Sequence, residues 1–409
     1  MNANVGSGTQ PRTADSLEGR MLRRLLRGLG NPPIEFHLLW SGERVAATAT
    51  GPLEHLRIAD RRTLLGLLYD AQVRFGDAYT SGQIEVEGDL VKFMVALFRV
   101  FAPHAPESIA SRIVGWCRRS RRNTLAGSRD NIHRHYDIGN EFYALWLGDT
   151  MAYTCAYYPS ARATLDQAQT AKMDHVCRKL RLGAADSVVE AGCGWGGLAL
   201  HMAGRYGAKV RAFNISREQL EFARRRAREQ GLEHRVEFVE DDYRNISGSC
   251  DVFASVGMLE HVGPEHYPEL GRVMRAALRA NGRGLIHSIG RNRPGTLHPW
   301  IERRIFPGAY APSLGEMMQI FEPCGFSVLD VENLRLHYAQ TLRHWLERYE
   351  AKTEQVSAMF DEEFVRMWRL YLAGSIAAFE TGTLQLFQVL VTPQNNNDLP
   401  LTREYIYPR

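Results

Sequence analysis

The chain lacks any closely spaced pair of cysteines. Its six, at positions 117, 155, 177, 193, 250 and 324, show no CxxC spacing. This argues against a zinc site and a disulfide scaffold, and it suits a reducing compartment. Long apolar runs are missing too: the longest, Leu90 to Ala102, is interrupted by Lys92 and Arg99 and is too short to span a bilayer. Met1 to Ala14 is polar with no apolar core, so no signal peptide is expected. A large excess of one charge is missing as well, since 50 basic against 46 acidic side chains leave only +4, too little by itself to imply nucleic acid. No internal repeat is visible. Any membrane contact is therefore expected to be peripheral.

What is present suffices for one large domain and a smaller one, at 409 residues and 46.3 kDa. Residues 1–20 are rich in Gly, Ser, Thr and Asn and read as a disordered leader. Residues 21–110 mix an amphipathic start with short strand-like runs at 34–39 and 83–87 and helical pieces at 61–74 and 90–101, a small α+β domain. A basic linker follows at 111–135, where Arg112, Arg118, Arg119, Arg121, Arg122, Arg129 and Arg134 face only Asp130. From 136 to 392 strands and helices alternate: strand 187–190, helix 198–206, strand 208–213, helix 217–230, strands 235–239 and 250–256, helix 265–279, strand 283–288. Such alternation predicts a parallel sheet covered on both faces by helices. Further strands are expected at 326–331 and 384–391, with helices at 341–351 and 362–379 between them, and a loose tail at 393–409.

The densest signal is Val188-Val189-Glu190-Ala191-Gly192-Cys193-Gly194-Trp195-Gly196-Gly197, a strand turning sharply into a helix. Glycines belong where a ligand approaches the backbone closely, and here Gly192, Gly194 and Gly196 would offer main-chain amides. A dinucleotide site predicts GxGxxG and an acid at the end of the second strand. This spacing differs, and the second strand ends in Asn214. Asn214, Ile215, Ser216 and Gln219 instead offer polar groups for ribose hydroxyls, and Asp242-Tyr243 for an adenine amine. Those demands match S-adenosylmethionine.

Glu260 and His287 each fall near the end of a strand on the edge that carries the glycine turn. Read singly, each also has a plainer account: Glu260 as a helix N-terminal acid beside a surface histidine, His287 as a satisfied core histidine. Cys155, in Tyr153-Thr154-Cys155-Ala156-Tyr157-Tyr158, also reads as a small buried residue, and Tyr338 as core filler.

Together these segments resemble the cyclopropane fatty acid synthases and mycolic acid cyclopropane synthases. The resemblance runs through His135-Tyr136-Asp137-Ile138-Gly139-Asn140, the Tyr153 and Gly192 segments, Ser255-Val256-Gly257-Met258-Leu259-Glu260-His261-Val262-Gly263, His287-Ser288-Ile289-Gly290 and Trp300–Gly308. It covers roughly residues 130–391 in order. Phe75-Gly76-Asp77-Ala78-Tyr79 and Val86-Glu87-Gly88-Asp89-Leu90 are similar to the smaller lipid-associated domain of the phospholipid-modifying branch. The resemblance implies an α/β, class I S-adenosylmethionine-dependent methyltransferase domain (Rossmann-like) preceded by that small α+β domain. It implies methyl transfer to a cis double bond of a phospholipid acyl chain, inside a dry slot because an alkene is a poor nucleophile.

In this family the base that closes the ring is a bound bicarbonate. Carried over, its site falls on Cys155, Glu260, His287, the backbone at Ile289, and Tyr338, with Glu260 accepting from the bicarbonate hydroxyl. Cofactor contacts fall on Tyr153, Thr154, Glu190, Gly192, Gly194, Gly196, Asn214, Ile215, Ser216, Gln219, Asp242 and Tyr243, and no metal is implied. Two positions depart from the pattern. Ser375 stands where many relatives carry cysteine, and Glu380 where a basic residue is common, which leaves the product open between a ring and a methyl-branched or methylene-bearing chain. A binder that has kept the fold without the chemistry is the reading from another class, but four reactive side chains in family order oppose it. The arginine clusters fit an anionic phospholipid surface, at about 1 kcal/mol per basic residue, better than nucleic acid, where interleaved aromatics are sparse. The expected partner is an unsaturated phospholipid, met transiently at the inner face of the membrane by a cytoplasmic protein; a homodimer stays open.

Overall fold

A computed structural model describes residues 16–28, 30–46, 53–104 and 138–407. The arginine cluster at 112–134, the His135-Tyr136-Asp137 run and most of the leader lie outside the described residues. The chain forms two compact units, Met1–His104 and Ala105–Arg409.

In the first unit, helix α1 (Leu17–Gly28) buries Leu22 and Leu26, one turn apart, and leaves Arg20, Arg24 and Arg27 exposed. Strands β1 (Ile34–Leu38), β2 (Glu43–Ala46), β3 (Glu54–Ile58) and β4 (Ile84–Glu87) form a sheet of order β2-β1-β3-β4. β2 and β3 are not evident in the sequence because they are short and only one or two of their residues turn inward: Val45 in β2, Leu56 and Ile58 in β3. Helix α2 (Arg61–Thr80) runs six residues past the expected end. It breaks at Asp70 (φ −150°, ψ 78°), whose carboxylate accepts the Val73 amide at 3.3 Å and so caps the next turn. Helix α3 (Leu90–His104) stacks Phe93 on Phe75 of α2.

The second unit begins with α4 (Asn140–Ala144) and α5 (Leu165–Lys179), the latter opened by a Thr164–Gln167 capping box. The α/β part then runs β5 (Ser187–Ala191), α6 (Gly197–Tyr206), β6 (Lys209–Asn214), α7 (Arg217–Glu229), β7 (Val236–Glu240), β8 (Cys250–Val256), α8 (Tyr267–Ala277) and β9 (Leu278–Gly290). Short helices α9 (Pro299–Arg304) and α10 (Leu314–Phe321) precede β10 (Phe326–Asn333). Helices α11 (Arg335–Glu350), α12 (Thr353–Met359) and α13 (Glu362–Glu380) lead to β11 (Gln385–Pro393). The sheet order is β10-β11-β9-β8-β5-β6-β7, with β11 antiparallel to both neighbours and β9 through β7 parallel.

Alternation along the strands feeds two cores. Val188, Val210, Ala212, Val252 and Leu285 pack with α5, α6 and α7, whereas Val189, Phe213, Phe253 and Ile286 pack with α8 and α10. Each fully buried aliphatic side chain contributes roughly 1.5–3 kcal/mol. One expectation fails: the described part of the segment after Pro393, residues 394–407, is tied down. Gln394 N donates to Gly325 O at 3.0 Å, Asn396 Nδ2 to Gly282 O at 3.3 Å, and Arg178 Nε to Ile406 O at 2.7 Å. Asn396 is buried and meets a loop carbonyl instead of water, and Ile406 is buried too. Among the described residues, no helix is long and apolar enough to cross a membrane.

Candidate active site

A cavity opens at the carboxyl ends of β5, β6, β7 and β8, where the strand order reverses between β5 and β8. Glu190, Gly192, Gly194, Asn214, Ile215, Gln219, Asp242 and Tyr243 line it, as do Tyr153 and Thr154 from the loop before α5. Lys172, Trp195, Asp241, Met258 and His261 join them, none of which was expected from the sequence as a cofactor contact. Asp241 and His261 are each adjacent to an expected site residue. Lys172 sits in mid-helix and gave no such cue.

The glycines divide the labour. Gly194 has φ +54°, and the direction a Cβ would take is open, so it presents bare backbone. Gly192, at φ +84°, leaves room for Met258, whose Cβ would stand 2.7 Å from an added Cβ. Gly196 does not line the cavity; its Cβ direction points at Ala223 and Phe238, so it lets α6 pack closely on α7 and β7. Ser216 is also outside, because its hydroxyl caps α7 by accepting the Gln219 amide at 3.4 Å. Asn214 is a brace: its amide donates to Gly194 O at 3.2 Å and Gln219 Oε1 at 2.8 Å, tying the glycine turn to β6. The Gln219 Nε2 it leaves over is buried with no protein partner. Asp242 holds the next turn through the Arg244 amide at 3.0 Å.

Beside the cavity lies a second set of groups. Glu260 follows cavity residue Met258, and its Oε1 accepts the Ile289 amide at 2.6 Å. Its Oε2 is buried without a partner, and burial pushes the carboxyl up to about 7. His287 stands on β9 opposite Val256, a cavity residue, and Gly257 N donates to its carbonyl at 2.9 Å. Gln388 Nε2 lies 3.0 Å from His287 Nδ1. With the Gln388 amide turned so that Nε2 donates, Nδ1 accepts and the ring proton falls on Nε2, which is buried and unpartnered. Burial, reinforced by the charges of Lys172 and Lys179, drives this imidazole down to about 3, so it is neutral.

Cys155 is buried and kept a thiol, its Sγ directed to Ala156 O at 3.1 Å and Leu334 O at 3.9 Å. Leu334 precedes α11, which carries Tyr338 against Phe379 and Trp345. The structure thus joins Glu260 to Ile289 directly and sets Cys155 against the start of Tyr338's helix; none of the five lines the cofactor cavity.

An aromatic wall adjoins the cavity. Tyr153 touches Tyr143, Trp146 and Trp345, with ring centroids at 5.4, 5.4 and 5.5 Å, and its hydroxyl meets that of Tyr371 at 2.8 Å. Glu380 pairs with Arg343, whose Nε donates at 2.8 Å, so it ties the end of α13 to α11.

Comparison with known proteins agrees with this arrangement. Residues 124–389 match the family model described as mycolic acid cyclopropane synthetase. A probable fatty acid methyltransferase of Pseudomonas putida is 37% identical over 387 residues, covering 90% of this chain and 95% of that one. The cyclopropane-fatty-acyl-phospholipid synthase of Escherichia coli K12 is 37% identical over 270 residues, 66% of this chain and 69% of that one. The crystal structure of mycolic acid cyclopropane synthase CmaA1 complexed with SAH and CTAB superposes with TM-score 0.61 at 27% identity, over 64% of this chain and 97% of that one.

Proposed function

The chain belongs to the mycolic acid cyclopropane synthetase family and is an S-adenosylmethionine-dependent methyltransferase; from that premise we propose that it methylates a cis double bond of a phospholipid acyl chain and closes a cyclopropane ring, with bicarbonate as the base. One observation carries the reading: a buried acceptor without a partner, Glu260 Oε2, and a buried donor without one, His287 Nε2, at the ends of neighbouring segments beside the cavity. Bicarbonate offers a hydroxyl to donate and oxygens to accept, so the pair fits it. Bound there, the cofactor supplies an electrophilic methyl group and bicarbonate a base for a proton of that methyl.

The residues' own tasks follow from their surroundings. Glu260, fixed by the Ile289 amide, orients a hydroxyl. His287 donates without bringing a second positive charge near a developing carbocation. The aromatic faces around Tyr153 exclude water and favour a cation electrostatically. A second reading, methylation without ring closure, is favoured by the name of the Pseudomonas putida relative. Vesicles of monounsaturated phospholipid treated with the protein, S-adenosylmethionine and bicarbonate separate the two. Upfield cyclopropane methylene signals in the proton NMR spectrum of the recovered chains are expected, and methylated chains without them would establish the second reading.

The substrate also places the protein transiently at an anionic membrane, with the exposed Arg20, Arg24 and Arg27 of α1 and the arginines at 112–134 as its contacts. Vesicle co-sedimentation is then expected to weaken as salt rises; indifference to ionic strength would remove the electrostatic contribution.

A further inference from the structure

Lys172 is the one lysine or arginine in the cavity lining among the described residues, and three acids, Glu190, Asp241 and Asp242, line it as well. It comes from the middle of α5, where a lysine would ordinarily reach solvent, yet only 2% of its surface is exposed. An ammonium has three donors. The described structure uses one, to Thr154 Oγ1 at 3.0 Å. Glu190, 2% exposed, lines the same cavity, and its Oε2 is buried with no partner. The two groups feel each other's charge but form no direct ion pair among the described residues. A buried lysine and a buried glutamate that leave their hydrogen-bonding capacity unused are complementary to a third party carrying both signs.

The cofactor has such a part, its amino-acid end, with one carboxylate and one ammonium. A carboxylate entering a cavity lined by three acids meets a net repulsive field, and Lys172 is the side chain that can oppose it. We propose that Lys172 is a cofactor-binding residue that takes the carboxylate of the amino-acid end of S-adenosylmethionine, with Thr154 Oγ1 holding the lysine's ammonium in place. This rests on S-adenosylmethionine as the cofactor and not on ring closure, so it stands whichever product is formed.

The groups facing Lys172 are Thr154 and Cys155 from the preceding loop, Cys177 from its own helix, Glu190 from β5, His201 from α6 and His287 from β9. Burial, the dominant influence, lowers the ammonium to about 8 in the absence of cofactor. Equilibrium binding of S-adenosylmethionine and of its decarboxylated analogue, which keeps the sulfonium and the amine, tests the assignment. The native protein is expected to prefer the carboxylated ligand at least tenfold, as a charge-assisted hydrogen bond in a buried site would give. Lys172→Met is expected to bring that ratio close to one by weakening S-adenosylmethionine alone, and Lys172→Gln, which can still bond Thr154, to do the same. A ratio preserved in the variants, whether both affinities fall together or neither changes, would overturn the proposal and leave the carboxylate to the backbone amides of the glycine turn. The native protein gives an independent arm that needs no variant to fold: the ratio should fall as pH rises above about 8, where Lys172 loses its proton, and a flat ratio up to pH 9.5 would also overturn it.

Discussion

The cofactor cavity and the Glu260–His287 set adjoin each other but are built on different principles. The cavity is shaped by backbone. Positive-φ glycines at 192 and 194 and an asparagine brace hold main-chain groups towards a ligand, and its side chains keep spare donors and acceptors. The neighbouring set is made of side chains withdrawn from water, each in its neutral form or on the edge of it: a carboxyl raised to about 7, an imidazole lowered to about 3, a thiol held protonated. A site that only binds a ready-made ligand needs shape and hydrogen bonds. One that holds a base beside a carbocation benefits from neighbours locked neutral, as His287 and Cys155 are, around one carboxyl whose charge state sits close to switching. Binding and chemistry should therefore be separable by mutation.

The sharpest separation is expected at Glu260→Gln. It keeps the Ile289 contact but not the charge, and should lower product formation by about two to four orders of magnitude, while the affinity for S-adenosylhomocysteine in a calorimetric titration stays within twofold. A parallel loss of affinity would merge the two regions. Gly192→Ala breaks the other side. The added methyl meets Met258 and the φ of +84° is strained by about 1–3 kcal/mol, so cofactor affinity should drop about tenfold or more and the melting temperature by a few degrees. An unchanged titration would show that the turn does not shape the cavity.

The smallest effect is a pH dependence of stability. Folding raises the Glu260 carboxyl from 4.5 to about 7, so the folded state holds a proton that the unfolded chain has lost between those values. Its stabilising contribution is full below 4.5 and fades as pH rises through 7. Melting curves should therefore show the native protein losing ground to Glu260→Gln between pH 5 and 8. Glu190 has the same sign but is common to both proteins, so the difference isolates Glu260.

Much of this is legible in the sequence. Glycine spacing after a β-branched run, and acids or amides at strand ends, located the cavity because those residue types are demanded by backbone geometry. Lys172 was not legible. Helix α5 buries Lys172, Asp174, His175 and Lys179 among its apolar residues, so periodicity alone places its inward face wrongly. What keeps them inside is long-range pairing, as when Lys179 meets Asp330 at 3.1 Å and Glu332 at 2.6 Å on β10. The tail after Pro393 escaped for a similar reason, since Asn396 and the Gln394 backbone look solvated until the carbonyls they bond, at Gly282 and Gly325, are brought near by the fold.

Ring closure by this route takes its proton from the methyl group just transferred. S-adenosylmethionine carrying a fully deuterated methyl group, incubated with the protein, bicarbonate and monounsaturated phospholipid vesicles, tests it by the deuterium content of the recovered chains. Two deuterium atoms in a cyclopropane methylene, identified by mass and by the matching deuterium NMR signal, are the predicted result. Chains that retain all three in a methyl branch would contradict it.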